Sequence, residues 1–133
     1  MAMKINELYC CKQCGNLLEV VHGGNGEVSC CGEPMSKLHA NSTDGKTEKH
    51  LPVIKRYGDI CHVMVGEEPH PMLIEHHIVW IGIRVKDRVI RCYLKPGEKP
   101  EAQFCGIEPA DEIIAEAYCN LHGLWSSGLD GVK

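Results

Sequence analysis

A cluster of thiols near the start of the chain constrains its folding more than any other feature. Cys11 and Cys14 form a C-x2-C step, CKQC, and Cys30 and Cys31 are adjacent; each pair is followed by a glycine, Gly15 or Gly32. A C-x2-C turn lets two sulfurs converge on one ion while backbone N–H groups point at them. Two such elements give a closed tetrahedral S4 site, which suits iron or zinc. Adjacent cysteines diverge in an extended strand, so Cys30 and Cys31 can share an ion only from a strained turn, for which Gly32 supplies the freedom. Cys10 falls outside the x2 spacing and is read as spare. A piece this short cannot bury enough surface to fold unaided, since below roughly 40 residues a metal, disulfide or partner is usually needed.

Composition decides between metal and disulfide. The 133 residues hold nine Cys and eight His but one Phe, and five per cent aromatic content is thin for a core built by packing alone. The N-terminus, MAMKINELYC, lacks the apolar stretch and cleavage site of a secretory signal, and no run approaches the ~18 apolar residues of a membrane span. The expected location is therefore cytoplasmic, where thiols stay reduced, and an odd cysteine count also argues against full pairing. A net charge of −4 gives no nucleic-acid footprint.

The chain reads as two domains, 1–38 and 39–133. In the first, apolar run 17–21 and Val28 flank Gly23-Gly24-Asn25-Gly26 and read as a small hairpin. Residues 37–47 are polar and turn-rich and read as a linker. Beyond them, β-rich runs at 51–57, 60–65, 78–85, 89–94, 103–107 and 113–118 are separated by turn signals, as in an antiparallel β-sandwich. The last run also fits a helical turn, with strand preferred. Residues 126–133 are read as frayed.

The histidines of the second domain occupy loops. His50 follows Glu48-Lys49, His70 is held between Pro69 and Pro71, Glu75-His76-His77 precedes a strand, and Cys119-Asn-Leu-His122 follows the last one. Loops at one end of a sandwich converge, so these residues can build one site. A thiolate with several imidazoles suits a redox-active iron or copper, or zinc.

In the order CKQCGN, VVHGGNGEVSCCGEPM, STDGKTEKHLPVI, EEPHPM, EHHIVWI, LKPGEKPEA and AYCNLHGLW, these segments resemble desulfoferrodoxin, the family of two-iron superoxide reductases, over nearly the whole chain. The resemblance implies a mainly β protein: a small desulforedoxin-like domain with an Fe(Cys)4 centre held by Cys11, Cys14, Cys30 and Cys31, then an immunoglobulin-like β-sandwich. It implies a second iron, Fe(His)4Cys, with imidazoles from His50, His70, His76 and His122 and an axial thiolate from Cys119. Glu48 and Lys49 match the family's pair beside that iron. A homodimer is implied, with superoxide as substrate and a rubredoxin-like or NAD(P)H-linked electron donor. Cys10, Cys61, Cys92 and Cys105 have no part in the pattern and are read as buried small hydrophobes. His22, His39, His62 and His77 are read as structural or exposed, although His77 leaves the register of the third ligand open.

Five protein ligands leave one octahedral position for superoxide, opposite the electron-donating thiolate. Lys49 would add positive charge there and position a proton-supplying water, and Glu48 would close the position on the oxidised iron. The S4 iron, having no open position, reads as an electron relay. Two rivals are a non-enzymatic electron carrier and a zinc-ribbon binding module on an immunoglobulin-like scaffold. The first needs a closed second metal, and the second needs a basic or aromatic surface.

Overall fold

A computed structural model describes residues 2–41, 50–66 and 68–127, and those residues form strands, turns and loops with no helix. The chain divides into two compact units, Met1–His39 and Ala40–Lys133.

The first unit has a three-stranded antiparallel sheet in the order β2-β1-β5, made of β1 (Leu8–Cys10), β2 (Leu17–Glu19) and β5 (Ser36–Lys37). A two-stranded ribbon joins β3 (Ser29–Cys30) to β4 (Glu33–Pro34). Its apolar centre is small: Leu8, Cys11, Val20 and Met35 are buried, while Ile5, Leu18 and Val21 are exposed. The expected hairpin across the glycine cluster does not form. Leu17–Glu19 pairs with Leu8–Cys10 instead, and Val28 lies outside any strand. The glycines serve a crossing: a Cβ on Gly23 would stand 1.7 Å from the carbonyl oxygen of Met3, and the Met3 N–H donates to Gly24 O at 3.0 Å. The expected linker also begins too early, because Lys37 is in β5, opposite Tyr9. Leu38 still donates its N–H to Leu8 O at 2.7 Å and Asn41 bridges to Trp125, while 42–47 lies outside the described residues.

Glu7 ties this unit together. Its carboxylate accepts the Lys4 N–H at 2.9 Å and the Tyr9 hydroxyl at 3.1 Å, and it pairs with Lys37 Nζ at 3.0 Å. The Lys4 N–H first, then Lys37, lower its pKa to about 2 from 4.5. A carboxyl whose pKa is depressed on folding contributes stability above its unfolded value, and that contribution is lost as pH falls through the folded one. Glu7→Gln is therefore expected to lower the stability of this unit by about 0.5–1 kcal/mol at neutral pH. The difference from the parent should vanish between pH 4.5 and 2. Amide exchange of β1 and β5 at both pH values measures it.

The second unit is the immunoglobulin-like sandwich. One sheet has the order β10-β7-β6, from β10 (Glu101–Phe104), β7 (Ile60–Val65) and β6 (Pro52–Tyr57). The other has the order β12-β11-β8-β9, from β12 (Gly123–Ser126), β11 (Ile114–Cys119), β8 (Ile78–Val85) and β9 (Arg88–Tyr93). All pairings within the two sheets are antiparallel. Alternation of burial along β7 sends Cys61, Val63 and Val65 inward to meet Ile81, Ile83 and Val85 of β8, Ala115 and Ala117 of β11, and Phe104. Branched aliphatic side chains and alanines thus supply the core that a single Phe could not.

On the outer face of β8, Trp80 is covered by Tyr118 (ring centroids 6.0 Å apart) and by the Arg91 guanidinium, 4.7 Å over its ring. Residues 114–118 belong to a strand rather than a helical turn. The run at 103–107 is corrected: the strand begins at Glu101 and ends at Phe104, and Ile107 is buried from a loop. Frayed residues were expected from 126 onward, yet β12 reaches Ser126, which is buried and donates its N–H to Asn41 O at 2.9 Å. Residues 128–133 lie outside the described residues.

Candidate metal centres

The sulfurs of Cys11, Cys14, Cys30 and Cys31 lie within 4.8 Å of one another. Cys14 and Cys30 are 3.5 Å apart and Cys30 and Cys31 3.9 Å, near the ~3.8 Å edge of a tetrahedron of thiolates ~2.3 Å from one ion. All nine cysteines are free. Cys11 and Cys14 sit in a knuckle closed by Gly15 N–H to Cys11 O (2.9 Å) and Cys11 N–H to Asn16 O (2.9 Å).

The adjacent pair converges by a hairpin. Ser29 faces Pro34 and Cys30 faces Glu33, so Cys31 and Gly32 form a two-residue loop in which both φ values are positive, 53° and 79°. That is the signature of a type I′ turn. Gly32 takes the left-handed conformation freely, but Cys31 has a Cβ and pays about 1 kcal/mol for it. Gln13 donates across the cluster to Glu33, linking knuckle to hairpin.

Crowding divides the four thiols. The N–H groups of Cys14 and Gln13 draw the Cys11 pKa down to about 7, whereas hydrogen bonds shared with Cys14, Cys30 and Cys11 push Cys31 up to about 12. Cys30 is raised for the same reason, with Cys14 the largest cause. Cys11 ionises more readily than an ordinary thiol, whereas Cys30 and Cys31 are held protonated until a cation offsets the crowding, which is the chemistry of a closed metal site.

In the second unit four imidazoles form a square. Neighbouring centroids are 4.6 Å (His50–His70), 4.8 Å (His70–His76), 4.9 Å (His76–His122) and 5.0 Å (His122–His50), and neighbouring rings cross at 61° to 83°. The 6.5 Å between His50 and His76 is a diagonal. Cys119 Sγ stands 3.7 Å from His122 Nδ1, which is itself 3.2 Å from His50 Nε2. Two nitrogens at that separation match neighbouring donors ~2.1 Å from one ion. The donor atoms of His50, His76, Cys119 and His122 all lie within 4.8 Å of one another, and His70 completes the square of rings. His50, His70 and Cys119 are buried, while His122 reaches the surface.

Each donor is positioned by its surroundings. Cys119 ends β11 at a bulge, where pairing shifts to Ile78, and bulges re-aim side chains. His70 Nδ1 lies 2.8 Å from Pro71 O, so the Nδ1–H tautomer leaves Nε2 for a metal. His77 Nδ1 instead reaches Leu73 O at 3.0 Å, and His76 occupies the corner of the square. Trp125 is a member of the site that sequence reasoning misses. It stacks on His50 (4.4 Å, 13°), and its Nε1–H donates to His122 O at 3.1 Å. It stands in β12, a short strand that no local pattern marks.

Glu48 and Lys49 lie outside the described residues. Among the cysteines outside the two clusters, Cys61 is buried and Cys10 and Cys92 are partly so, but Cys105 is exposed, which corrects its reading as a buried hydrophobe. His62 lies 3.5 Å from Glu101, and His22 and His39 are exposed.

Residues 3–38 match the family model for the desulfoferrodoxin N-terminal domain, and residues 42–128 match the desulfoferrodoxin model. This chain belongs to the desulfoferrodoxin family. It is 48% identical over 127 residues to desulfoferrodoxin of Syntrophotalea carbinolica, covering 96% of this chain and 98% of that one. It is 46% identical over 125 residues to a desulfoferrodoxin homolog of Archaeoglobus fulgidus, covering 94% and 98%. The crystal structure of the superoxide reductase from Treponema pallidum superposes with a TM-score of 0.73 at 26% identity, covering 92% of this chain and 97% of that one. The tetrathiolate and histidine–thiolate donor sets match the two iron centres of desulfoferrodoxin. Among the described residues no helix is long and apolar enough to cross a membrane.

Proposed function

We propose that this chain is a superoxide reductase that carries out O2•− + e− + 2H+ → H2O2 without forming dioxygen, and so detoxifies superoxide. Its iron ligands would be His50, His70, His76, His122 and Cys119. The observation that carries this reading is the square of four imidazoles beside a buried thiolate, open to the surface at His122. With these five donors holding the iron, a small anion would reach it from the exposed side of the site. Iron bound there would supply one-electron ferrous–ferric chemistry, with the Cys119 thiolate as the electron-donating ligand.

The protein's part is to hold, shield and steer. The Pro71 carbonyl keeps His70 in one tautomer, and the apolar residues around Cys119 exclude water from the sulfur. Lys49 and Glu48 directly precede His50 in the sequence, and this adjacency supports their roles. Lys49 would attract superoxide and order a water that delivers a proton, and Glu48 would supply a carboxylate to the site after turnover. Electrostatic focusing accelerates capture by roughly 10–10³-fold. Lys49→Ala is expected to slow the second-order reaction by about 10-fold and weaken its salt dependence. An unchanged rate in pulse radiolysis would remove Lys49 from the mechanism.

Cys11, Cys14, Cys30 and Cys31 would hold the first iron as an electron relay, since four thiolates leave it no position for substrate. The family resemblance further supports a cytoplasmic homodimer that takes electrons from a rubredoxin-like or NAD(P)H-linked donor. Pulse radiolysis of the ferrous protein tests the activity. Superoxide should disappear with one peroxide formed per superoxide and no dioxygen; dioxygen release, or no reaction, would overturn it.

A further inference from the structure

We propose that Asn120 is the positioning residue that locks the His76 loop to the Cys119–His122 turn, and thereby sets how tightly the histidine–thiolate site holds its metal. This rests on the reading of that site as the iron centre.

The problem Asn120 solves is one of chain entropy. Cys119 stands on a strand end, but His76 lies on a stretch, residues 71–77, that belongs to no strand. Within it a tight turn is closed, Leu73 N–H to His76 O at 2.8 Å and His76 N–H to Leu73 O at 3.1 Å. The β8–β11 ladder stops at the bulge where Cys119 meets Ile78. Asn120 continues the pairing past that point. Its backbone N–H donates to His77 O at 3.2 Å, its Oδ1 accepts the His77 N–H at 2.9 Å, and its Nδ2 donates to Glu75 O at 3.1 Å.

The carboxamide thus behaves as an extra peptide group, offering one acceptor and one donor to the two residues that bracket His76. Glu75 and His77 are held on either side, and the imidazole between them is delivered to its corner of the square. Asparagine is the side chain that can do this from a turn: it carries both halves of an amide on a single methylene. Serine offers one hydroxyl, and aspartate offers acceptors only. The bonds join two segments far apart in sequence, so they restrict the loop in a way that no contact within residues 71–77 does.

Residues that orient metal ligands from behind typically govern metal affinity by about 10- to 100-fold. The iron-loaded full-length protein provides its own control, because the tetrathiolate centre lies in the other unit. Iron release to a chelator is followed at both centres in the parent, Asn120→Ala and Asn120→Asp, together with the thiolate-to-iron absorption band of the oxidised histidine–thiolate centre. Asn120→Ala should speed release from the histidine–thiolate centre by about 10- to 100-fold and shift its band, with release from the tetrathiolate centre unchanged. Asn120→Asp keeps the acceptor for His77 N–H and loses the donor to Glu75 O, so it should fall between the parent and the alanine variant. Unchanged release at the histidine–thiolate centre would overturn the inference. So would faster release matched by lost amide-exchange protection of β7, β8 and β11, which would mean a general loss of stability of the second unit. A parent protein with no thiolate-to-iron band would instead sink the reading of the site, and this inference with it.

Discussion

Cys119→Ser should lower the superoxide rate constant by at least about 100-fold and abolish the thiolate-to-iron absorption band, while the bands of the tetrathiolate centre persist. The thiolate is the one soft donor in the second set, and a serine hydroxyl neither ionises near neutral pH nor donates comparable electron density. Size is nearly conserved, so packing survives. The position is fully buried within the sandwich core, and placing a more polar hydroxyl there costs about 1–3 kcal/mol, which the unit should tolerate. Circular dichroism of the variant should therefore show an intact sandwich, separating lost chemistry from lost fold. A persistent band with parental activity would mean that a different thiol ligates the iron and would overturn the assignment.

Cys14→Ser is expected to affect the opposite end of the chain. Four buried side chains, Leu8, Cys11, Val20 and Met35, make up the apolar centre of Met1–His39, and short ladders give little further support. A structural metal in a unit of this size contributes roughly 10–16 kcal/mol of apparent folding free energy. Its loss should therefore unfold the first unit. In the full-length variant, amide exchange within residues 2–38 should rise to near the unprotected rate, and protease should cut there first. Protection of β7, β8 and β11 should be unchanged, and so should intrinsic superoxide reduction, because the second unit has its own core and its own site. A first unit that stayed protected would show that its packing suffices without the metal. A large loss of superoxide reduction in a variant still loaded at the histidine–thiolate centre would overturn the relay role of the first iron.

How much is legible depends on the range of the signal. CKQC and the adjacent Cys30 and Cys31 read as one cluster because spacing and glycine placement are local. The hairpin expected across Gly23–Gly26 fails because the partner of Leu17–Glu19 is upstream, in Leu8–Cys10, and apolar runs do not say which neighbour they pair with. Strand β12 escapes notice because GLWS is short and follows a turn. Its stability comes from pairing with β11 and from the Asn41 bridge, neither of which has a local mark. His76 and His77 are indistinguishable in sequence. The hydrogen bond from His77 to Leu73 and the Asn120 contacts on either side of His76 separate them.

Composition and spacings of a few residues were enough to establish the class of the molecule. It is a mainly β chain whose excess thiols and loop histidines are metal donors, with a first unit too small to hold together by packing. Over such short spans chain geometry leaves few choices. How donors from four separate segments meet was settled only in three dimensions. There Cys119 falls on a bulge, Trp125 lies against His50, Cys31 takes a left-handed conformation, and Asn120 finds two backbone partners more than 40 residues away. Such placements depend on strand pairing between distant segments, and the assembled sheets alone specify that pairing.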